Sequence, residues 1–154
     1  MLRTLVATLV VEAAMLVLLF GADLPGPALV AWYRRLGTSA FVMDVLSAYV
    51  CVHAATLLVR SKRSSFVATA ACVLAIQVTH DLVFGALVAS VPPGTMAVLD
   101  LFRDYARPAI LGYDAAIVLS VLVVDRALLT APDDVHALVG AVAAYVALLF
   151  VHSF

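Results

Sequence analysis

Four acidic residues lie inside long apolar stretches of this 154-residue sequence: Glu12, Asp44, Asp81 and Asp114. An Asp near the centre of a membrane-spanning helix costs about 2.5–3.5 kcal/mol on insertion scales, so such residues usually face one another, water or a basic partner. Carboxylates grouped with a histidine form proton relays and cation sites in membrane proteins, and His80 directly precedes Asp81. We therefore predict that these five residues bind protons or small cations in a channel or transporter.

Arginines near the same end of the apolar stretches support a second interpretation. These arginines are Arg34, Arg35, Arg103 and Arg107. Buried charges are normally paired, so an arginine could reach inward and neutralise a carboxylate permanently. The protein would then be a non-transporting membrane scaffold, or an assembly subunit of a larger complex, and its acids would hold the helices in register.

The composition predicts that the elements carrying these residues lie in lipid. Hydrophobic residues make up 66% of the chain and charged residues 12%, whereas soluble domains carry roughly 25% charged residues. Five apolar runs approach or exceed the ~20 residues that a spanning helix needs, at 2–20, 38–59, 66–90, 108–124 and 135–154. The net charge of −1 offers no electrostatic attraction for nucleic acid.

A further segment, 95–107, has the pattern of an interfacial helix. Apolar side chains recur there at every third residue, namely Met96, Leu99, Phe102 and Tyr105. Charged residues lie between them. Amphipathic helices of this kind lie in the plane of the membrane surface. The sequence thus predicts an all-α, polytopic transmembrane bundle of about five spans and one interfacial helix. Residues 1–154 would form a single integral, multi-pass membrane domain.

The depth of the four acids suggests that they meet. Successive spans alternate in direction, and each acid is six to nine residues from the span end on the side of the 21–37 linker. At ~1.5 Å per residue, this places all four roughly 9–14 Å below one face of the membrane. Small or polar residues such as Thr8, Ser47 and Gln77 share their helix faces. We therefore expect these faces to converge in the interior of the bundle.

The last span has a different pattern. Ala137, Gly140, Ala144 and Leu148 recur on one face of the predicted helix, without a charge among them. Small residues at this spacing let helix backbones approach closely. The pattern predicts helix packing, either within the chain or between protomers of a homo-oligomer, and packing within the chain is the simpler arrangement.

Other residue patterns do not indicate an enzyme. Four scattered histidines are too few for a membrane hydroxylase or desaturase, and the only lysine, Lys62, lies in a turn where it cannot form a retinal Schiff base within a span. Cys51 and Cys72 lie in apolar runs and form no CxxC pair, so they are interpreted as buried hydrophobic side chains. We predict no catalytic residues, no cofactor and no metal site.

Three stretches of the chain resemble an uncharacterised family of small multi-pass membrane proteins of large DNA viruses of algae and protists. They are "AWYRRLGTSAFVMDVL", "IQVTHDLVFGAL" and "MAVLDLFRDYARPAILGYD", and they cover roughly residues 31–118. In the family an acid directly follows the glycine of Ile-Leu-Gly, whereas here Tyr113 lies between Gly112 and Asp114. The resemblance brings no assigned activity. It implies a viral membrane protein in which the acids and the Asp-Tyr-Ala segment act together.

Overall fold

The structure is a computed structural model that describes residues 1–22, 27–59, 65–95, 100, 103 and 108–153. Every regular element within these ranges is helical. The α-helices are α1 (Leu2–Ala22), α2 (Pro27–Leu36), α3 (Thr38–Leu58), α4 (Phe66–Ser90), α5 (Pro108–Ala127) and α6 (Asp133–Ser153). A single turn of 3₁₀-helix, Leu128–Thr130, connects α5 to α6. The prediction of an all-α helical bundle is confirmed.

The long helices begin and end close to the predicted limits of the apolar runs. Within the described residues, four helices are long and apolar enough to cross a membrane, namely α1, α3, α4 and α6. The predicted span at 108–124 forms the 20-residue helix α5, and its crossing of a membrane stays a prediction. Most of the predicted interfacial segment at 95–107 lies outside the described residues.

The helix α2 was not predicted from the sequence, and a tight turn joins it to α3. Gly37 has φ +53°, a backbone conformation that residues other than glycine rarely adopt. Its amide donates a hydrogen bond of 2.7 Å to the carbonyl of Tyr33, which closes the end of α2. This turn folds α2 back against α3 and determines where the aromatic residues of α2 lie.

The bundle is organised around α1, which packs against α3, α5 and α6, while α4 packs against α3 and α5. One apolar cluster joins α1, α2, α3 and α6 and includes Leu16, Trp32 and Phe41. A second cluster joins α1, α3, α4 and α5 and includes Val52 and Val118. The polar site described below therefore lies on helices that are held in place by apolar packing on both sides of α1.

The packing face of α6 differs from the predicted one. Its buried residues are His136, Gly140, Ala143, Ala147 and Val151. Gly140 was predicted correctly, and it lies so close to α1 that an added Cβ would come within 3.1 Å of the Val6 side chain. Ala137 and Leu148 are exposed. These two residues therefore do not pack within the chain, because small residues occur on several faces of this helix and contact with α1 selects another one; packing between protomers stays a prediction for them.

Candidate functional site

A cavity of about 970 Å³ lies between α1, α3, α4 and α5. Its lining includes all five residues that the sequence indicated for ion binding, namely Glu12, Asp44, His80, Asp81 and Asp114. The four carboxylates come from four different helices, one each from α1, α3, α4 and α5. The fold thus gathers side chains that are up to 102 residues apart in the chain, from Glu12 to Asp114.

Asp44 is held by the aromatic residues of α2. The Tyr33 hydroxyl donates a hydrogen bond of 2.5 Å to Oδ2 of Asp44, and the Trp32 side chain donates another to the same carboxylate. Both aromatic residues are buried. Burial, followed by the proximity of Asp44, raises the pKa of Tyr33 well above its usual value of 10. Tyr33 therefore stays a neutral phenol that can donate to Asp44.

Asp81 is held by side chains of its own helix. Gln77 Nε2 donates a hydrogen bond of 2.8 Å to Oδ1 of Asp81, and His80 Nδ1 lies 3.0 Å from the same oxygen. The His80 side chain is 47% exposed, and its ring stacks on Phe84. His80 therefore connects Asp81 with the outer surface of the bundle.

Two buried oxygen atoms at the same place have no hydrogen-bond partner among the described residues. They are Oε1 of Gln77 and Oδ2 of Asp81. The Gln77 side chain lines the cavity and only 4% of the residue is exposed. An unsatisfied buried acceptor costs about 1–3 kcal/mol, so a hydrogen-bond donor that reached these two oxygens would stabilise this part of the structure.

Glu12 and Asp114 complete the polar part of the lining. Glu12 is 2% exposed at the middle of α1, and Asp114 is half-buried near the start of α5. Within the described part of the chain, neither residue forms an ion pair with an arginine or lysine. Asp44 and Asp81 likewise form no ion pair with an arginine or lysine among the described residues.

Three of the four predicted pairing arginines lie within the described residues, and they occupy different places. Arg103 lines the cavity, but it donates to Asp100 at 2.5 Å and to the backbone carbonyls of Val88 and Val91 at the end of α4. Arg34 and Arg35 are exposed in the last turn of α2 and are not part of the lining. Arg107 lies outside the described residues. The predicted pairing of these arginines with the four acids is thus not seen where the chain is described.

A second polar contact, between Arg3 and Asp125, was missed by the sequence reasoning. Arg3 donates to both carboxylate oxygens of Asp125, at 3.1 and 2.8 Å, and the Thr4 hydroxyl donates to Oδ1 at 2.8 Å. Asp125 is 4% exposed. The two charges are 122 residues apart and lie near the ends of their helices, and no sequence pattern connects them.

Replacing Tyr33 by phenylalanine is expected to lower the free energy of unfolding by about 1 kcal/mol, because a buried hydrogen bond to Asp44 is lost while the ring remains. Unfolding in mixed detergent micelles measures this change. Tyr145→Phe is the matched control, since Tyr145 is 64% exposed on α6. An equal effect of the two substitutions would contradict the role assigned to Tyr33.

Fold and site together define the class of this protein: a small α-helical bundle with a cavity lined by carboxylates and with four helices, among the described residues, that are long and apolar enough to cross a membrane. Comparison with protein-family models, with curated proteins and with solved structures finds no match. Within the described ranges, no three His, Cys, Asp or Glu side chains are grouped so that they could hold a metal ion.

Proposed function

We propose that this is an integral, multi-pass membrane protein that moves protons or small cations across the bilayer through the acid-lined cavity. The observation that carries the proposal is the arrangement of Glu12, Asp44, Asp81 and Asp114, which come from four helices and line one cavity. Ionisable residues in membrane spans usually mark proton or ion pathways. Membership of the viral membrane protein family is likewise a proposal. That family has no assigned activity, so the resemblance does not bear on the transport proposal.

The outer surface of the bundle supports the membrane location. Large apolar side chains are exposed on the long helices, for example Val67 at 73%, Leu82 at 61% and Leu138 at 66%. Monomeric soluble proteins rarely expose large contiguous apolar patches. In a bilayer the same side chains contact acyl chains, and the polar groups lie in the interior of the bundle.

The hydrogen bonds of Asp81 support transfer of protons. His80 Nδ1 lies 3.0 Å from Asp81 and its ring lines the cavity, so the ring can exchange a proton with the carboxylate and with water in the cavity. From Asp81 the cavity extends to Asp114, Asp44 and Glu12. These groups supply a set of proton acceptors inside the bundle.

The scaffold function is the alternative, and its requirement is a permanent arginine partner for the acids. Among the described residues, Asp44 is bonded by Tyr33 and Trp32, and Asp81 by Gln77 and His80. None of these partners is a permanent cation, so the carboxylates are able to exchange protons or cations. This pattern favours transport over the scaffold.

Reconstitution of the purified protein into liposomes tests the proposal. A pH-sensitive dye inside the liposomes reports proton movement when a pH gradient is applied in either direction, and cation gradients with a voltage-sensitive dye report small cations. We expect flux above that of protein-free liposomes. Liposomes that show no flux for protons or for any of several cations, under either polarity, would overturn the proposal.

A further inference from the structure

The cavity is large for a relay of protons alone. Its volume is about 970 Å³, whereas a water molecule occupies roughly 30 Å³ in the liquid. Pockets that bind organic ligands have volumes of about 300–1,000 Å³. We propose that the cavity binds a lipophilic organic amine in its protonated form, with the ammonium group at Asp81 and Gln77. This inference rests on the proposed function, because it assigns a cationic substrate to the same carboxylates.

The polar end of the cavity matches an ammonium group. Gln77 Oε1 and Asp81 Oδ2 are buried acceptors without a donor among the described residues. A primary ammonium group carries three N–H donors and no acceptor, so it suits a site whose unsatisfied groups are both acceptors. The lining contains four carboxylates and one described arginine, Arg103, which is already bonded to Asp100. The charge of the site therefore favours a cation over an anion.

The remaining wall of the cavity is apolar and suits the body of an organic molecule. It is formed by aliphatic and aromatic side chains, among them Leu111, Ile117, Val118, Phe84 and Tyr113. An inorganic cation gains little from such a wall, since hard cations prefer oxygen ligands. An amine that carries an aliphatic or aromatic body buries apolar surface against it, and aromatic faces attract its charge.

Residues beside the cavity indicate how such a molecule enters. Met43, Leu46 and Leu82 line the cavity and are 44%, 53% and 61% exposed. They lie within α3 and α4, two of the helices that are long enough to cross a membrane. In a bilayer, side chains that are exposed on these helices contact acyl chains, so lipid would border the cavity on this side. This access selects a lipophilic amine that partitions into the membrane.

Binding can be measured directly, because the chain has one tryptophan, Trp32, and it lines the cavity. The full chain in detergent is titrated with 2-phenylethylamine, and Trp32 fluorescence is excited where the ligand does not absorb. We expect a saturable change with the amine, and affinities at least about tenfold weaker for 2-phenylethanol and phenylacetate, which lack the ammonium group. Asp81→Asn should weaken amine binding by about 10- to 100-fold.

The controls separate recognition of the ammonium group from other effects. Asp134→Asn removes an exposed acid at the start of α6 and should leave the affinity unchanged. Gln77→Met is a second variant for the case in which Asp81→Asn does not fold, and it should also weaken binding.

A parallel titration with dihexanoyl phosphatidylethanolamine tests the source of the ammonium group. Tighter binding of that lipid than of 2-phenylethylamine would support ammonium recognition with a lipid headgroup as the source, and the reverse order would support a free amine.

Equal affinity for 2-phenylethylamine and 2-phenylethanol, or no saturable change with either, would overturn the inference. The liposome assay on the same preparation keeps this result apart from the proposed function. Proton flux without amine binding contradicts the amine site and leaves proton transport standing. Amine binding without any flux supports the ammonium site and contradicts transport.

Discussion

Replacing Asp81 by asparagine is expected to reduce proton flux in liposomes by about 100-fold or more, which is the range that a positioned proton-transfer group contributes. Asparagine has nearly the same shape and can still contact Gln77 and His80, but it cannot take up a proton at neutral pH. Asp81 is the residue of choice because it joins the exposed ring of His80 to the cavity. The initial rate of the change in dye fluorescence after a pH jump measures the effect.

Two controls make the Asp81→Asn result specific. Asp134→Asn removes one exposed carboxylate outside the cavity lining and should preserve the rate. Circular dichroism and gel filtration show whether the variant keeps its helices and its size in detergent. Wild-type flux in a correctly folded Asp81→Asn protein would mean that protons do not pass through this carboxylate, and the assigned pathway would be wrong.

Replacing Arg3 by methionine is expected to lower the free energy of unfolding by about 2–3 kcal/mol. Breaking a fully buried ion pair by removing one partner costs about 3–5 kcal/mol, because the other charge is left buried and uncompensated. Here the cost is lower because the Arg3 side chain is 34% exposed, although the Asp125 side chain is only 5% exposed. Methionine retains the apolar length of the arginine side chain. Unfolding in mixed detergent micelles gives the change in stability.

Arg34→Met is the matched control for Arg3→Met, because Arg34 is exposed on α2 and should contribute less than about 0.5 kcal/mol. The double variant Arg3→Met/Asp125→Asn should recover part of the lost stability, since it no longer buries an unpaired carboxylate. A destabilisation by Arg3→Met that the second substitution does not reduce would show that the ion pair is not the cause.

The helices and the level of the acids follow from local features of the sequence. Apolar runs of about 20 residues can satisfy their backbone groups in lipid only as helices, and the predicted run at 66–90 has the same limits as α4. The distance of an acid from the end of its helix follows from the rise per residue. The limits of a helix and the distance of an acid from its end both depend on residues that are close in the chain. For this reason Glu12, Asp44, Asp81 and Asp114 could be selected from the sequence.

The partners of those acids depend on how each helix is rotated about its axis, and sequence spacing does not define that rotation. Tyr33 reaches Asp44 because the turn at Gly37 folds α2 back onto α3. Arg103 bonds the carbonyls at the end of α4 rather than an acid in the cavity. Arg3 meets Asp125 only when α1 packs against α5. Such long-range contacts arise from the packing of whole helices, so local patterns establish the elements and the depth of the charges, while tertiary packing selects the partners.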